Sequence, residues 1–317
     1  MRTSGRDVVP GPPAVTRRGL VLFGLMSVIW GIPYLLIRIA VEEISPAVLV
    51  LARTGIATAI LLPIALARVD LRPILARWPW LVAFAAVEIA VPWVMLGSAE
   101  QHVSSSLAAL LIAGVPLVGV LFAIMTRGTD RMDRLGVVGL LIGVVGVVAI
   151  AGADFEASDA LALAQIAVVV VGYAVGPAIL VRRLGGLSSL GIMALSLALT
   201  AVVFVPIAAL DWPTSTPSPD TIVSVALLAT ICTAAAFLVF AALIKEIGPV
   251  RATVITYVNP AVAAVLGVVI LREDFTVPMG IGFALVIAGS ILATRRPRAT
   301  IEPHAEQRLA LEVDQPA

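Results

Sequence analysis

Long apolar stretches separated by short polar connectors run through nearly the whole of this 317-residue chain. A bilayer core about 30 Å thick needs roughly 20 apolar residues of helix. Ten stretches meet that requirement: 19–41, 45–67, 78–98, 102–125, 134–153, 160–182, 188–210, 221–244, 249–271 and 276–294. Connectors such as RVDLRPILAR, TRGTDRMDR and DWPTSTPSPD carry most of the charge. The apolar runs are about twice as long as a barrel strand needs and do not alternate in polarity, so strands do not fit. The pattern predicts an all-α integral membrane protein with ten transmembrane helices. The first run follows basic residues, but its apolar core is too long for a signal peptide and no small-residue cleavage site follows. It reads as a retained first helix.

Composition agrees with this class. The chain is 60% hydrophobic and 13% charged, with a mean hydropathy of +1.08, against about 45–50% and about 25% in ordinary soluble domains. The net charge of +1 decides little, whereas the distribution of charge decides the orientation. With the N-terminus in the cytoplasm, 18 of the 21 Lys and Arg residues fall on cytoplasmic connectors or tails. Arg272 alone lies in an outer connector, and Arg38 and Arg53 lie within spans. The positive-inside rule is then met throughout, which places both termini in the cytoplasm of a multi-pass protein of the cell membrane.

A repeat is visible beneath this pattern. A shift of 144 residues superposes Pro33 on Pro177, Arg38 on Arg182, Ser45 on Ser189, Pro116 on Pro260 and Gly136 on Gly280. A shift of 143 places Gly139 and Gly146 on Gly282 and Gly289. Each unit holds five spans, and an odd number forces the two units into opposite orientations, an architecture of many secondary transporters. The expected organisation is a cytoplasmic tail at 1–18, five-helix repeats at 19–153 and 160–294, and a disordered cytoplasmic tail at 295–317.

The segments IWGIPYLLIR, SPAVLVLARTGIA, SSSLAALLIAGVPLVGVLFA and GPVRATVITYVNPAVAAVLGVVILRED resemble the EamA family of the drug/metabolite transporter superfamily. The last of these is the most specific, with its proline near mid-span and Glu273 just past the end. The first repeat departs from it, since MTRGTD has Thr129 where the second repeat has Glu273. The resemblance covers 19–294 and implies a ten-helix secondary transporter, commonly an exporter of amino acids, related metabolites or toxic compounds. It carries over no substrate.

Several polar and aromatic residues sit deep in the spans. At about 1.5 Å of rise per residue, Glu88, Arg53, Trp30, Tyr34, Tyr173, Tyr257 and Asn259 fall near the middle of their helices. With Trp93 they are the substrate-binding candidates. An intramembrane carboxylate is costly and normally faces the bundle interior or water. Glu88 can therefore bind a substrate amine, carry a coupling proton, or serve as a structural partner of Arg53. Arg53 in turn can meet a substrate carboxylate or neutralise Glu88. Arg38 lies close enough to the outer surface to snorkel, with Glu42 one turn on as a partner.

Pro33, Pro92, Pro116, Pro177 and Pro260 each free a backbone carbonyl within a span and are candidate hinges between the repeats. Gly136, Gly139, Gly143, Gly146, Gly282 and Gly289 match small-residue packing seams, within the bundle or in a homodimer. The HVSSS segment reads as a helix cap and Cys232 as a small core residue. With one cysteine and two histidines no metal site is expected, and no phosphate-loop or other cofactor motif is present. The expected partners are a small-molecule substrate and the lipid bilayer, with no nucleic acid. A membrane enzyme would need a convergent set of acid–base groups, and a channel would show charged rings or repeated filter backbone. A secondary exporter, by proton antiport or exchange, is the expected function. A fluorescent protein fused after Ala317 should therefore fluoresce, while alkaline phosphatase fused in the 154–159 connector should be active; the reverse pattern would refute the orientation.

Overall fold

The computed structural model describes residues 16–127, 134–152, 160–247, 252 and 254–294. Most of the expected N-terminal tail, the whole C-terminal tail and the start of the ninth apolar stretch lie outside the described residues. All regular structure among those described is helical. The long helices are α1 (Arg17–Ala40), α2 (Pro46–Arg68), α3 (Trp78–Ala99), α4 (Ser105–Thr126), α5 (Arg134–Gly152), α6 (Ala160–Arg183), α7 (Ser189–Ala209), α8 (Pro219–Ile247), α9 (Ile255–Leu271) and α10 (Val277–Thr294). Nine of the described helices are long and apolar enough to cross a membrane, and α9 is shorter. The protein is a multi-pass membrane protein.

Local chemistry sets the helix starts. Thr16, Ser45, Ser104, Ser188 and Ser218 each accept a hydrogen bond from the backbone N–H three residues on, which satisfies a donor with no partner inside the helix. Pro46 and Pro219 occupy first turns, where the missing N–H costs nothing. The cap expected in HVSSS is therefore present at Ser104. α9 ends at Arg272, which adopts a left-handed conformation with φ 56°.

Four of the described spans depart from regular α geometry. α4 is interrupted between Ile112 and Val115, so that Pro116 sits just past a break. α3 and α8 each contain a π-helical turn, Ala85–Ala90 and Thr230–Ala235, and the two stand at nearly the repeat offset from one another. A third such turn, Gly267–Leu271, closes α9. Of the five candidate hinge prolines, Pro116 adjoins a break and Pro92 follows a π-turn. Pro33, Pro177 and Pro260 lie within continuous helices. Pro63 and Pro206 occupy the same situation in α2 and α7, a related pair that the sequence reading passed over.

Packing obeys an exchange rule. α1 packs on α8 and α9, and α6 packs on α3 and α4, while α2 pairs with α7 and α5 with α10. Exchanging α1 with α6, α8 with α3 and α9 with α4 returns the same set. The α1–α8 pair is tied at both ends, by Thr16 Oγ1 donating to Glu246 Oε1 at 2.6 Å and by Ser218 N–H donating to Glu43 Oε2 at 2.6 Å. The α6–α3 pair is tied likewise, by Gln165 Nε2 donating to Ser98 Oγ at 2.9 Å and by Arg77 Nη1 donating to the Arg183 carbonyl at 2.8 Å.

The glycine seams are filled within the chain. A Cβ on Gly146 would stand 2.6 Å from the Gly282 carbonyl oxygen and 2.7 Å from Val286 N. One on Gly139 would stand 2.5 Å from Leu292 Cβ. The backbones of α5 and α10 therefore touch, the close approach that small-residue seams allow. Gly146→Leu should lower stability by about 1–3 kcal/mol, the usual cost of overpacking, read as a reduced midpoint of thermal unfolding in detergent.

Candidate functional site

α2 carries Arg53 into the bundle, where it is 8% exposed. Its Nε donates to Thr233 Oγ1 at 2.9 Å, and its guanidinium carbon lies 3.6 Å from the centre of the Trp93 ring. Thr233 belongs to the π-turn of α8, and its hydroxyl donates to the Leu228 carbonyl at 2.7 Å, five residues back. An ordinary α-turn has no free carbonyl at that spacing. The irregular turn thus aims one lone pair of Thr233 at the guanidinium. The contact is charge-assisted, and the ring face opposite adds cation–π attraction.

Glu88 belongs to the matching π-turn of α3. It packs against Gly176 of α6, where any Cβ would collide with Glu88 Oε2. Gly172, one turn earlier on α6, lies against the Val87 carbonyl and the Pro92 ring. These two glycines let α6 approach the irregular turn, a small-xxx-small arrangement. Glu88 Oε2 is buried and has no hydrogen-bond partner among the described residues.

Between these groups stands Tyr173 of α6, whose hydroxyl faces the Trp93 indole and which is within electrostatic reach of Arg53 and Glu88. Tyr34 of α1 is buried beside Tyr173 and Arg53. Arg53, Trp93, Tyr173, Tyr34 and Glu88 therefore form one neighbourhood, drawn from α1, α2, α3 and α6 and closed by Thr233 of α8. Arg53 and Glu88 do not form an ion pair. Among the described residues the ion pairs are Arg18–Glu246 and Arg38–Glu42. The structural pairing open in the sequence is thus replaced: Arg53 is held by a hydroxyl and an indole, and no carboxylate among the described residues lies within 4 Å of it.

The other three binding candidates have their partners elsewhere. Trp30 stacks on Phe240 of α8, with centroids 4.7 Å apart and the rings tilted by 45°. Tyr257 is half-buried and meets Thr294 of α10. With its amide oriented so that the nitrogen meets acceptors, Asn259 donates to the Ile255 carbonyl at 3.1 Å and the Ser27 carbonyl at 3.2 Å, joining α9 to α1. Depth alone had grouped these residues with Arg53, but their positions around the helix axes direct them into other contacts.

The family model for EamA-like transporters matches residues 17–152 and again residues 160–295. The chain belongs to the EamA-like transporter family. Relatives include the uncharacterized inner membrane transporter YedA of Escherichia coli K12, 29% identical over 294 residues that cover 88% of this chain and 92% of YedA. The uncharacterized transporter YvbV of Bacillus subtilis 168 is 21% identical, over 89% of this chain and 93% of its own. A solved crystal structure with 21% identity superposes with a TM-score of 0.62, covering 87% of this chain and 96% of that one, and so shares the fold.

Several groups of this EamA protein were not singled out in the sequence. Thr233 looks like an ordinary small residue until the π-turn gives its hydroxyl a direction. The GYAVG spacing around Tyr173 was a readable signal for close approach of α6. Glu273 was noted as part of a pattern, and the structure gives it a role: its carboxylate accepts from the Ser105 and Ser106 N–H groups at 2.7 and 2.9 Å. It thereby caps α4 from the other repeat. Thr233→Val keeps the shape and removes the acceptor of a buried guanidinium, which should cost about 1.5–3 kcal/mol in detergent unfolding experiments. The same substitution combined with Trp93→Leu should be non-additive, since both act on one cation.

Proposed function

We propose that this protein is a ten-span secondary transporter of two inverted five-helix repeats that exports a small amino-acid-like or amphipathic solute by alternating access, with proton coupling, from the cytoplasm across the cell membrane. Both termini face the cytoplasm, and no cofactor takes part. One observation carries the reading. At mid-span, among the described residues, a buried guanidinium has no carboxylate within ion-pair distance and a buried carboxylate oxygen has no hydrogen-bond partner. An isolated polar group in an apolar interior is expensive. A solute bearing both a carboxylate and an amine offers each of them a partner, and Trp93, Tyr34 and Tyr173 offer apolar faces to its body. In this reading Arg53 meets the carboxylate, and Glu88 meets the amine or exchanges it for a proton.

The exchange rule in the packing supports alternating access, because α1–α8 and α6–α3 form equivalent tied pairs that can open in turn at opposite faces. The naming of YedA and YvbV as transporters supports the class. The direction rests on the family resemblance. A facilitative permease without proton coupling is the second reading, since the same site serves both and only the response to a pH gradient separates them.

Purified protein in proteoliposomes, loaded with a panel of amino acids and aromatic metabolites, should release at least one of them faster than protein-free vesicles do. Arg53→Gln should raise the KM for a carboxylate-bearing solute at least about tenfold, the loss of one charge-assisted contact, with smaller effects on an analogue lacking the carboxylate. Glu88→Gln should remove acceleration by an imposed pH gradient. Wild-type flux indifferent to the gradient would select the permease, and no flux for any solute would overturn the reading.

A further inference from the structure

Glu100 follows α3 by one residue and is 0% exposed, and neither of its carboxyl oxygens has a hydrogen-bond partner among the described residues. Its surroundings are charged on several sides. From α1, Tyr34 and Arg38 face it; from α2, Arg53; from α6, Tyr173; and from the α9–α10 connector, Glu273. Glu42 and His102 stand further out, on the connectors. Neither nearby cation neutralises it. Arg38 gives one N–H to the Glu100 backbone carbonyl and turns its Nε toward Glu42 Oε1 at 3.9 Å. Arg53 is occupied by Thr233 and Trp93.

The neighbouring carboxylate is in the opposite condition. Glu273 has both oxygens filled by the N-terminus of α4, and it closes the outer end of the interface between the repeats. Beside this closure an open cavity of about 240 Å³ is lined by Arg38, Glu42, His102, Ser104 and Glu273. Glu100 therefore lies between an open recess and the mid-span cluster of Tyr34, Tyr173 and Arg53. Burial, and then the Glu273 charge, hold its carboxyl well above the ordinary value of 4.5, against the smaller opposing pull of Arg38 and Arg53.

We propose that Glu100 is a proton-binding group of the transport cycle, which keeps its proton while Glu273 caps α4 and releases it to the outer recess when that cap opens. The step breaks the carboxyl O–H bond, leaves the electron pair on the carboxylate and passes the proton to water. Opening exposes the carboxylate to solvent and to Arg38, and both favour the charged form. The cycle rests on the transporter reading above; the proton site itself does not, and it can be measured without any solute.

Two measurements test it. A carboxyl that binds its proton more tightly folded than unfolded stabilises the fold at low pH, and that contribution is lost as pH rises from 4.5 through the higher folded-state value. The detergent unfolding midpoint of wild-type protein should therefore fall over that range, and Glu100→Gln should flatten the fall. Should Glu100→Gln fail to accumulate, Glu273→Gln provides the second probe. Removal of the neighbouring negative charge should move the fall to lower pH. In proteoliposomes that transport a solute, Glu100→Gln should keep exchange at equal pH and lose its stimulation by a pH gradient. Unfolding profiles for either variant that parallel the wild type would overturn the proton site, whether or not a solute is found. Unchanged gradient stimulation in Glu100→Gln would overturn its part in the cycle.

Discussion

A peptide group in hydrocarbon has no water to bond to, so each N–H and C=O must find a protein partner within the span. That constraint makes every span a helix, and it also makes each departure from α geometry informative. In this protein the departures are few: a break in α4 beside Pro116 and π-turns in α3, α8 and α9. They are covered by neighbouring helices through glycines, as where Gly172 and Gly176 of α6 seat the α3 turn. The turn in α8 takes up the Thr233 hydroxyl, whose bond to the Leu228 carbonyl leaves a lone pair for Arg53. The irregular backbone and the buried charge are consequences of one another.

The electrostatics follow from this arrangement. A guanidinium and two carboxyl groups share the region between the recess beside Glu273 and mid-span, yet none forms an ion pair with another. Arg53 is stabilised by a neutral hydroxyl and an aromatic face, which leave its charge uncancelled. An ion pair there would have neutralised both partners. Glu273, by contrast, has both carboxylate oxygens hydrogen-bonded to the N-terminus of α4 and so joins the two repeats.

Much of this was legible in the chain. The apolar helices, the cap at Ser104, the family and the glycine seams follow from apolar length and spacing, because these are local or one-dimensional properties. The mid-span cluster was legible in part. Depth grouped Arg53, Glu88, Tyr34 and Tyr173, which the structure brings together with the candidate Trp93, but also gathered Trp30, Tyr257 and Asn259, which have partners elsewhere. Depth is linear in residue number, whereas direction around the axis depends on helix phase, and a π-turn shifts that phase for everything after it. None of the three π-turns has a sequence signature that could have been read in advance. Glu100 was passed over because its place at a helix end resembled a solvated connector.

The sequence by itself determined that the chain threads a membrane and that two related halves repeat, since hydrophobic length and residue spacing act without regard to neighbours. Only the tertiary structure decided that Arg53 and Glu88 stand unpaired, that Asn259 is used between helices, and that Glu100 is buried while Glu273 is capped. Those outcomes depend on which helix faces lie together, and that is fixed by packing between segments more than a hundred residues apart.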